Sequence, residues 1–185
     1  MKSFVMKSPG NLKLLTKGQI LPHIQQSISK ATKSILIVGP WLDAYFTRNV
    51  IDSLPNLDIN VSFLVRIEDG DKIDAKTLSA LNLARENIPK FQARTLSNLH
   101  LKVIIIDDET FYLGSANWYW YSLHESLETT LCGKTLLIHE LVPEINKHWT
   151  NATPLTSGDM ADYNDLEPVK APYYNIKQIF SNTNL

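Results

Sequence analysis

The run Val103-Ile104-Ile105-Ile106 constrains the fold more than any other feature of the chain. It is the heart of His100–Asp107, the most strongly β-branched run in the sequence, and no polar position interrupts these four residues, so neither face of the strand suits water. Such a strand belongs in the middle of a sheet that is covered on both sides. Asp107 closes the strand, and Thr110–Gly114 follows as a second strand after the polar tip Asp108-Glu109, which makes the pair a hairpin.

The chain supplies the covering elements. Gln19–Ala31 carries Ile20, Leu21, Ile24 and Ile28 at helical spacing and runs into Ser34–Pro40, a buried strand closed by breakers. Asp43 can cap a helix reaching about Leu54, Asn60–Arg66 reads as another buried strand, and Ile73–Glu86 as a further helix. Phe91–Leu96 and Leu127–Cys132 read as strands, and Lys134–Trp149 as an amphipathic helix. Strands alternating with helices and then a hairpin describe an α/β sandwich, a mixed sheet between helical layers. A length of 185 residues predicts one domain. Residues 1–150 are expected to form it. After Trp149 the composition turns to Asn, Thr, Pro, Ser and Asp, so residues 151–185 are expected to be a largely irregular extension, docked through Tyr163, Tyr173, Tyr174 and Phe180.

The net charge of −1 offers no global attraction to a polyanion, but it conceals a division. Residues 1–105 carry 14 basic and 8 acidic side chains, a net +6, while residues 106–185 carry 4 basic and 11 acidic, a net −7. A polyanion is expected to meet the first part. The single cysteine, Cys132, lies between apolar neighbours and reads as a core residue. No apolar run approaches the ~18 residues needed to span a bilayer, and the amino terminus breaks too soon for a signal peptide. The expected location is the cytoplasm.

The hairpin carries the chemistry. If its tip lies midway between Asp108 and Glu109, His100 opposes Asn117 and Lys102 opposes Ser115, so all four share one sheet face. Such a patch suits a phosphoryl group: the lysine neutralises charge, the hydroxyl and carboxamide donate hydrogen bonds, and an imidazole can attack phosphorus. Gly114 lets the backbone turn sharply there or lets a ligand come close. Asp107 falls on the other face, with a structural role such as bonding backbone amides at the turn.

The pattern His100-x-Lys102-x4-Asp107-x6-Gly114-Ser115-x-Asn117 resembles the HKD signature of the phospholipase D superfamily, every spacing intact. The likeness extends less strictly over residues 18–150. It implies that His100 is a nucleophile forming a covalent phosphohistidine, that Lys102 and Asn117 bind the phosphate, and that Ser115 supports the pocket. It also implies a glutamate that orients the histidine; Glu128, eleven residues after Asn117, fits that spacing, with Glu125 the competitor. A carboxylate suits the task because one ring nitrogen must be fixed for the other to present its lone pair. Members of the superfamily need two such motifs, and this chain has one. The resemblance therefore implies a homodimer with one composite site.

This chemistry requires no metal or other cofactor, and no His, Cys or Asp cluster shows ligand spacing. The superfamily includes endonucleases, phospholipases and phosphatidyl-transferases, and its short single-motif members are most often nucleases. A nucleic-acid substrate is therefore expected, with no stable membrane association; a lipid phosphodiester and a non-catalytic binding module are the alternatives. Arg48, Arg66, Lys72, Lys76, Arg85, Lys90 and Arg94 are available to line a cleft, Arg66 being singled out as a substrate contact. Trp118 and Trp120, in the run Trp118–Tyr121 beside the pocket, could stack bases, meet a lipid interface, or simply pack.

Overall fold

The four residues of the Val103–Ile106 strand divide between two cores, Ile104 and Ile106 facing one and Val103 and Ile105 the other, and all four are buried. The computed structural model describes residues 11–68, 72–156, 158 and 160. Along the chain run β1 (Leu12–Thr16), α1 (Ile20–Ile28), β2 (Ser34–Gly39), α2 (Ala44–Ser53), β3 (Asn60–Ile67), α3 (Ala75–Asn87) and β4 (Phe91–Ser97). There follow β5 (Val103–Ile106), β6 (Thr110–Gly114), α4 (Trp120–His124), β7 (Thr129–Gly133), α5 (Ile138–Asn151) and β8 (Thr153–Pro154).

The strands form one mixed sheet in the order β1-β7-β6-β5-β2-β3-β4-β8. β2, β3 and β4 are mutually parallel, and the other pairings are antiparallel. Helices α1, α2 and α3 cover one face, through Ile24 and Ile28, Phe46 and Val50, and Leu81 and Ala84. Helix α5 covers the other through Ile138 and Ile145. This is the mixed sheet between helices that the alternation of elements predicts, and each fully buried Ile or Phe contributes roughly 1.5–3 kcal/mol to it. Asp43 caps α2 as expected, accepting a hydrogen bond from the amide of Phe46 at 2.8 Å.

The hairpin differs from the sequence expectation in register. Its loop has three residues, Asp107 to Glu109, and Ile106 pairs with Thr110, Ile104 with Tyr112 and Val103 with Leu113. Pairing is thus shifted by one from the expected register, and the Gly114 amide donates to the carbonyl of Lys102 at 3.3 Å. The physical reason is Asp107. Both Asp107 and Asp108 are left-handed, at φ 56° and 55°, a conformation Asp tolerates better than most residues. The Asp107 carboxylate also accepts from the amides of Thr32, Lys33 and Ser34 at 2.7–2.9 Å and from the Thr32 hydroxyl at 2.9 Å. Its structural role holds, but the amides it bonds belong to the entry of β2 rather than to its own turn.

Three further elements were not expected: β1, α4 and β8. β1 is an edge strand with four of its five residues exposed, so it lacks a buried-face pattern. In β8, Thr153 and Pro154 pair with Thr95 and Arg94 and thus belong to the sheet, and Met160 is fully buried in the core. Tyr163, Tyr173, Tyr174 and Phe180 lie outside the described residues.

Candidate active site

Because β2, β3 and β4 are parallel, their carboxyl ends reach one edge of the sheet, where the amino end of β5 and the carboxyl end of β6 also arrive. Ligands bind at such an edge in open α/β sheets. His100 and Lys102 stand just before β5 rather than inside it. The chain enters this stretch through Asn98, which is left-handed at φ 59°.

Lys102 is only 6% exposed. Its Nζ lies 3.0 Å from Nδ1 and 3.2 Å from Nε2 of His100 and donates to the His100 carbonyl at 2.9 Å. Burial lowers the pKa of its ammonium, and the charge of Glu128 works the other way, favouring the protonated form. His100 itself is exposed. The carboxamide oxygen of Asn117 is buried with no hydrogen-bond partner, which is costly unless something binds there.

Glu128 stands one residue before β7, and its two oxygens accept from the hydroxyls of Ser115 and, at 2.7 Å, of Ser122. The Ser122 hydroxyl also accepts from the Asn117 amide at 3.0 Å, so it joins the two arms of the site. Within one chain, then, Glu128 is tied to serines and not to the His100 ring, contrary to the orienting role expected of it. Glu125 is remote from this set and pairs with Lys17 at 3.4 Å. Ser122 was missed because it sits in α4, a five-residue helix too short for periodicity to reveal.

Gly114 is required by protein, not by ligand: a Cβ there would collide with the Thr129 carbonyl oxygen and the backbone of Thr130 on β7. Trp118 is fully buried, stacked on Phe46 at 5.4 Å with its indole N–H on the Val38 carbonyl at 2.8 Å, so it packs and cannot touch substrate. Trp120 remains at the surface, 39% exposed and stacked on His124. Of the basic side chains offered for a cleft, Arg94 is bonded to the carbonyls of Trp149 and Ala152, Lys90 is paired with Asp58, and Arg66 with Glu68. Cys132 is buried, and burial raises its thiol pKa, in keeping with a core residue. Among the described residues no group of three His, Cys, Asp or Glu side chains could hold a metal ion, and no helix is long and apolar enough to cross a membrane.

Comparison with known proteins agrees with this geometry. A family model described as cardiolipin synthase, PLD-like domain, matches residues 24–149. No curated protein matches the chain. Among solved structures, NucT from Helicobacter pylori superposes with a TM-score of 0.66 at 20% identity, covering 78% of this chain and 99% of that one. Nuc from Salmonella typhimurium, a phospholipase D family member, gives 0.64 at 17% identity, with 80% and 100% covered. A phosphatidylserine synthase from Haemophilus influenzae Rd KW20 gives 0.62 at 16% identity, with 95% of this chain but 46% of that one covered. At these identities the likeness establishes the fold. The family match spans most of the chain and takes in the whole motif from His100 to Asn117, and the chain therefore belongs to the phospholipase D-like family.

Proposed function

We propose that the protein is a metal-independent phosphodiesterase, a nuclease that works through a covalent phosphohistidine on His100 in a composite site made by two copies of the chain. The observation that carries this reading is the exposed imidazole of His100 held against the buried ammonium of Lys102, 3.0 Å away. The ammonium and the N–H groups of the Asn117 carboxamide receive the phosphate. A neutral His100 attacks phosphorus; as the N–P bond forms, the P–O bond to the leaving group breaks, and the departing oxygen takes a proton from the second copy of His100. That second imidazole, now neutral, removes a proton from water, which cleaves the N–P bond and releases His100. One chain holds one such histidine, so the proton cycle needs two copies. Glu128 serves this site through Ser115 and by its charge, which favours the protonated form of Lys102 and partly offsets the lowering by burial.

Two further observations support the reading. Leu127, beside Glu128, is 95% exposed, an apolar side chain that a second copy seated on this edge would cover. Trp120 offers a partly exposed ring to a base. The test is a panel of labelled DNA, RNA and phospholipid vesicles assayed in EDTA, with His100→Ala as the blank. Cleavage of a nucleic acid by the parent protein alone is expected, and sedimentation should give a dimer. Turnover of lipid but not nucleic acid would replace the substrate class, and complete loss of activity in EDTA would sink the two-histidine mechanism.

A further inference from the structure

Trp41 follows Gly39-Pro40 at the end of β2 and touches the site twice. Its carbonyl accepts from the Trp118 amide at 3.3 Å, tying it to the segment that carries Asn117. Its indole meets the imidazole of His100 edge to face, with ring centroids 6.1 Å apart and planes at 86°. The indole is itself held. Its N–H donates to Oε1 of Glu68 at 3.1 Å, the other oxygen of Glu68 pairs with Arg66 at 2.8 Å, and the Arg66 guanidinium lies over the indole ring, 5.8 Å from its centre. Each of the three side chains contacts the other two. The Arg66 and Glu68 side chains are only 29% and 25% exposed, so the set is shielded from solvent.

We infer that Trp41 is a positioning residue for His100, and that Glu68 and Arg66 form the clamp that holds it. An exposed histidine is free to turn about two side-chain bonds, whereas in-line attack on phosphorus needs one orientation of the ring. Lys102 lies at nearly equal distances from both ring nitrogens, so its contact singles out neither of them. Glu128 spends its oxygens on Ser115 and Ser122. Among the described residues, the ring packed against His100 is the Trp41 indole, at right angles to it. The clamp also gives Arg66 a different task from the substrate contact expected from the sequence: its charge is matched by Glu68 and its face is laid on Trp41.

The inference rests on His100 being the nucleophile, and the experiment separates the two. Trp41→Ala, Trp41→Phe and Glu68→Gln are compared with the parent on bis(p-nitrophenyl) phosphate, and the His100 ring is followed by NMR of histidine-labelled protein against the four other histidines. Trp41→Ala is expected to lower kcat by about 10- to 100-fold with KM within about twofold, and to move the His100 resonances alone among the five. Trp41→Phe restores most of the rate; Glu68→Gln, which keeps the indole acceptor and weakens the hold on Arg66, loses about threefold or less. An unmoved His100 resonance, an unchanged kcat, or an effect on KM alone overturns the inference, whatever the protein cleaves. If Trp41→Ala does not fold, Trp41→Phe decides alone and by NMR: its His100 resonance must move, and move alone among the five, although most of the rate is kept. Full activity of His100→Ala would instead overturn the proposed function and leave the NMR reading intact.

Discussion

The two ends of the β5–β6 hairpin are built from the same kind of residue and behave in opposite ways. At the turn, Asp107 is saturated with hydrogen bonds from Thr32, Lys33 and Ser34. Burial alone would raise its pKa, but those bonds outweigh burial and hold the carboxyl below its ordinary 3.8. Five residues back along the strand, or about 16 Å at ~3.3 Å per residue, the ammonium of Lys102 is buried and the carboxamide oxygen of Asn117 has no partner. One end spends its polar groups on the fold. The other withholds them from the fold, which is the usual mark of groups kept for a ligand.

The largest test of this contrast is a pair of substitutions. His100→Ala should lower turnover by about a thousandfold or more while leaving the melting temperature within about one degree of the parent. Asp107→Ala should do the reverse: it loses roughly 2–3 kcal/mol through stranded amides and a strained left-handed alanine, and keeps activity at permissive temperature. Thermal denaturation and initial rates on the same preparations decide between them, and a stability loss in His100→Ala equal to that in Asp107→Ala would break the comparison. Next comes Lys102→Met, which removes a buried charge and keeps the stem. Its activity should fall by about 100-fold or more while its melting temperature does not fall.

Acid sharpens the contrast further. The folded pKa of Asp107 is depressed, so its contribution is present above the ordinary value of 3.8 and is lost as pH falls through the folded pKa. Urea unfolding at pH 2–5 should therefore show a steeper decline for the parent than for Asp107→Asn. The smallest expected effect belongs to His23, on α1 beside Tyr112, whose pKa is lowered by burial and by Lys13 and Lys30. As pH falls below 6.5 the unfolded chain takes the proton first, so stability declines there, and His23→Gln should flatten that slope slightly.

The sheet and its covering helices were legible because buried positions repeat with the period of each element: Ile24 and Ile28 in α1, and the uninterrupted Val103–Ile106 in β5. The motif was legible because its spacing is long. The register was not, since it hangs on whether the loop takes two, three or four residues, and Asp107 settles that through partners more than 70 positions away. Nor was the fate of Trp118 and Trp120, one buried and one partly exposed, because Trp118 bridges Leu42 whereas Trp120, two residues on, opens the short helix α4. The partners of Glu128 escaped for the same reason.

The three-residue turn has one more consequence, which concerns insertions and deletions. A polar hairpin tip is ordinarily where a protein absorbs extra residues at little cost. Here the count from Ile106 to Thr110 fixes which residues of β6 stand beside Lys102, and Asp107 must remain the residue that reaches Thr32 and Ser34. One residue added at Asp108 would slide β6 along β5 and turn Gly114 away from its close approach to Thr129 and Thr130. The letter at 109 can drift, and that at 108 among the few residues that accept a left-handed backbone, whereas their number is fixed.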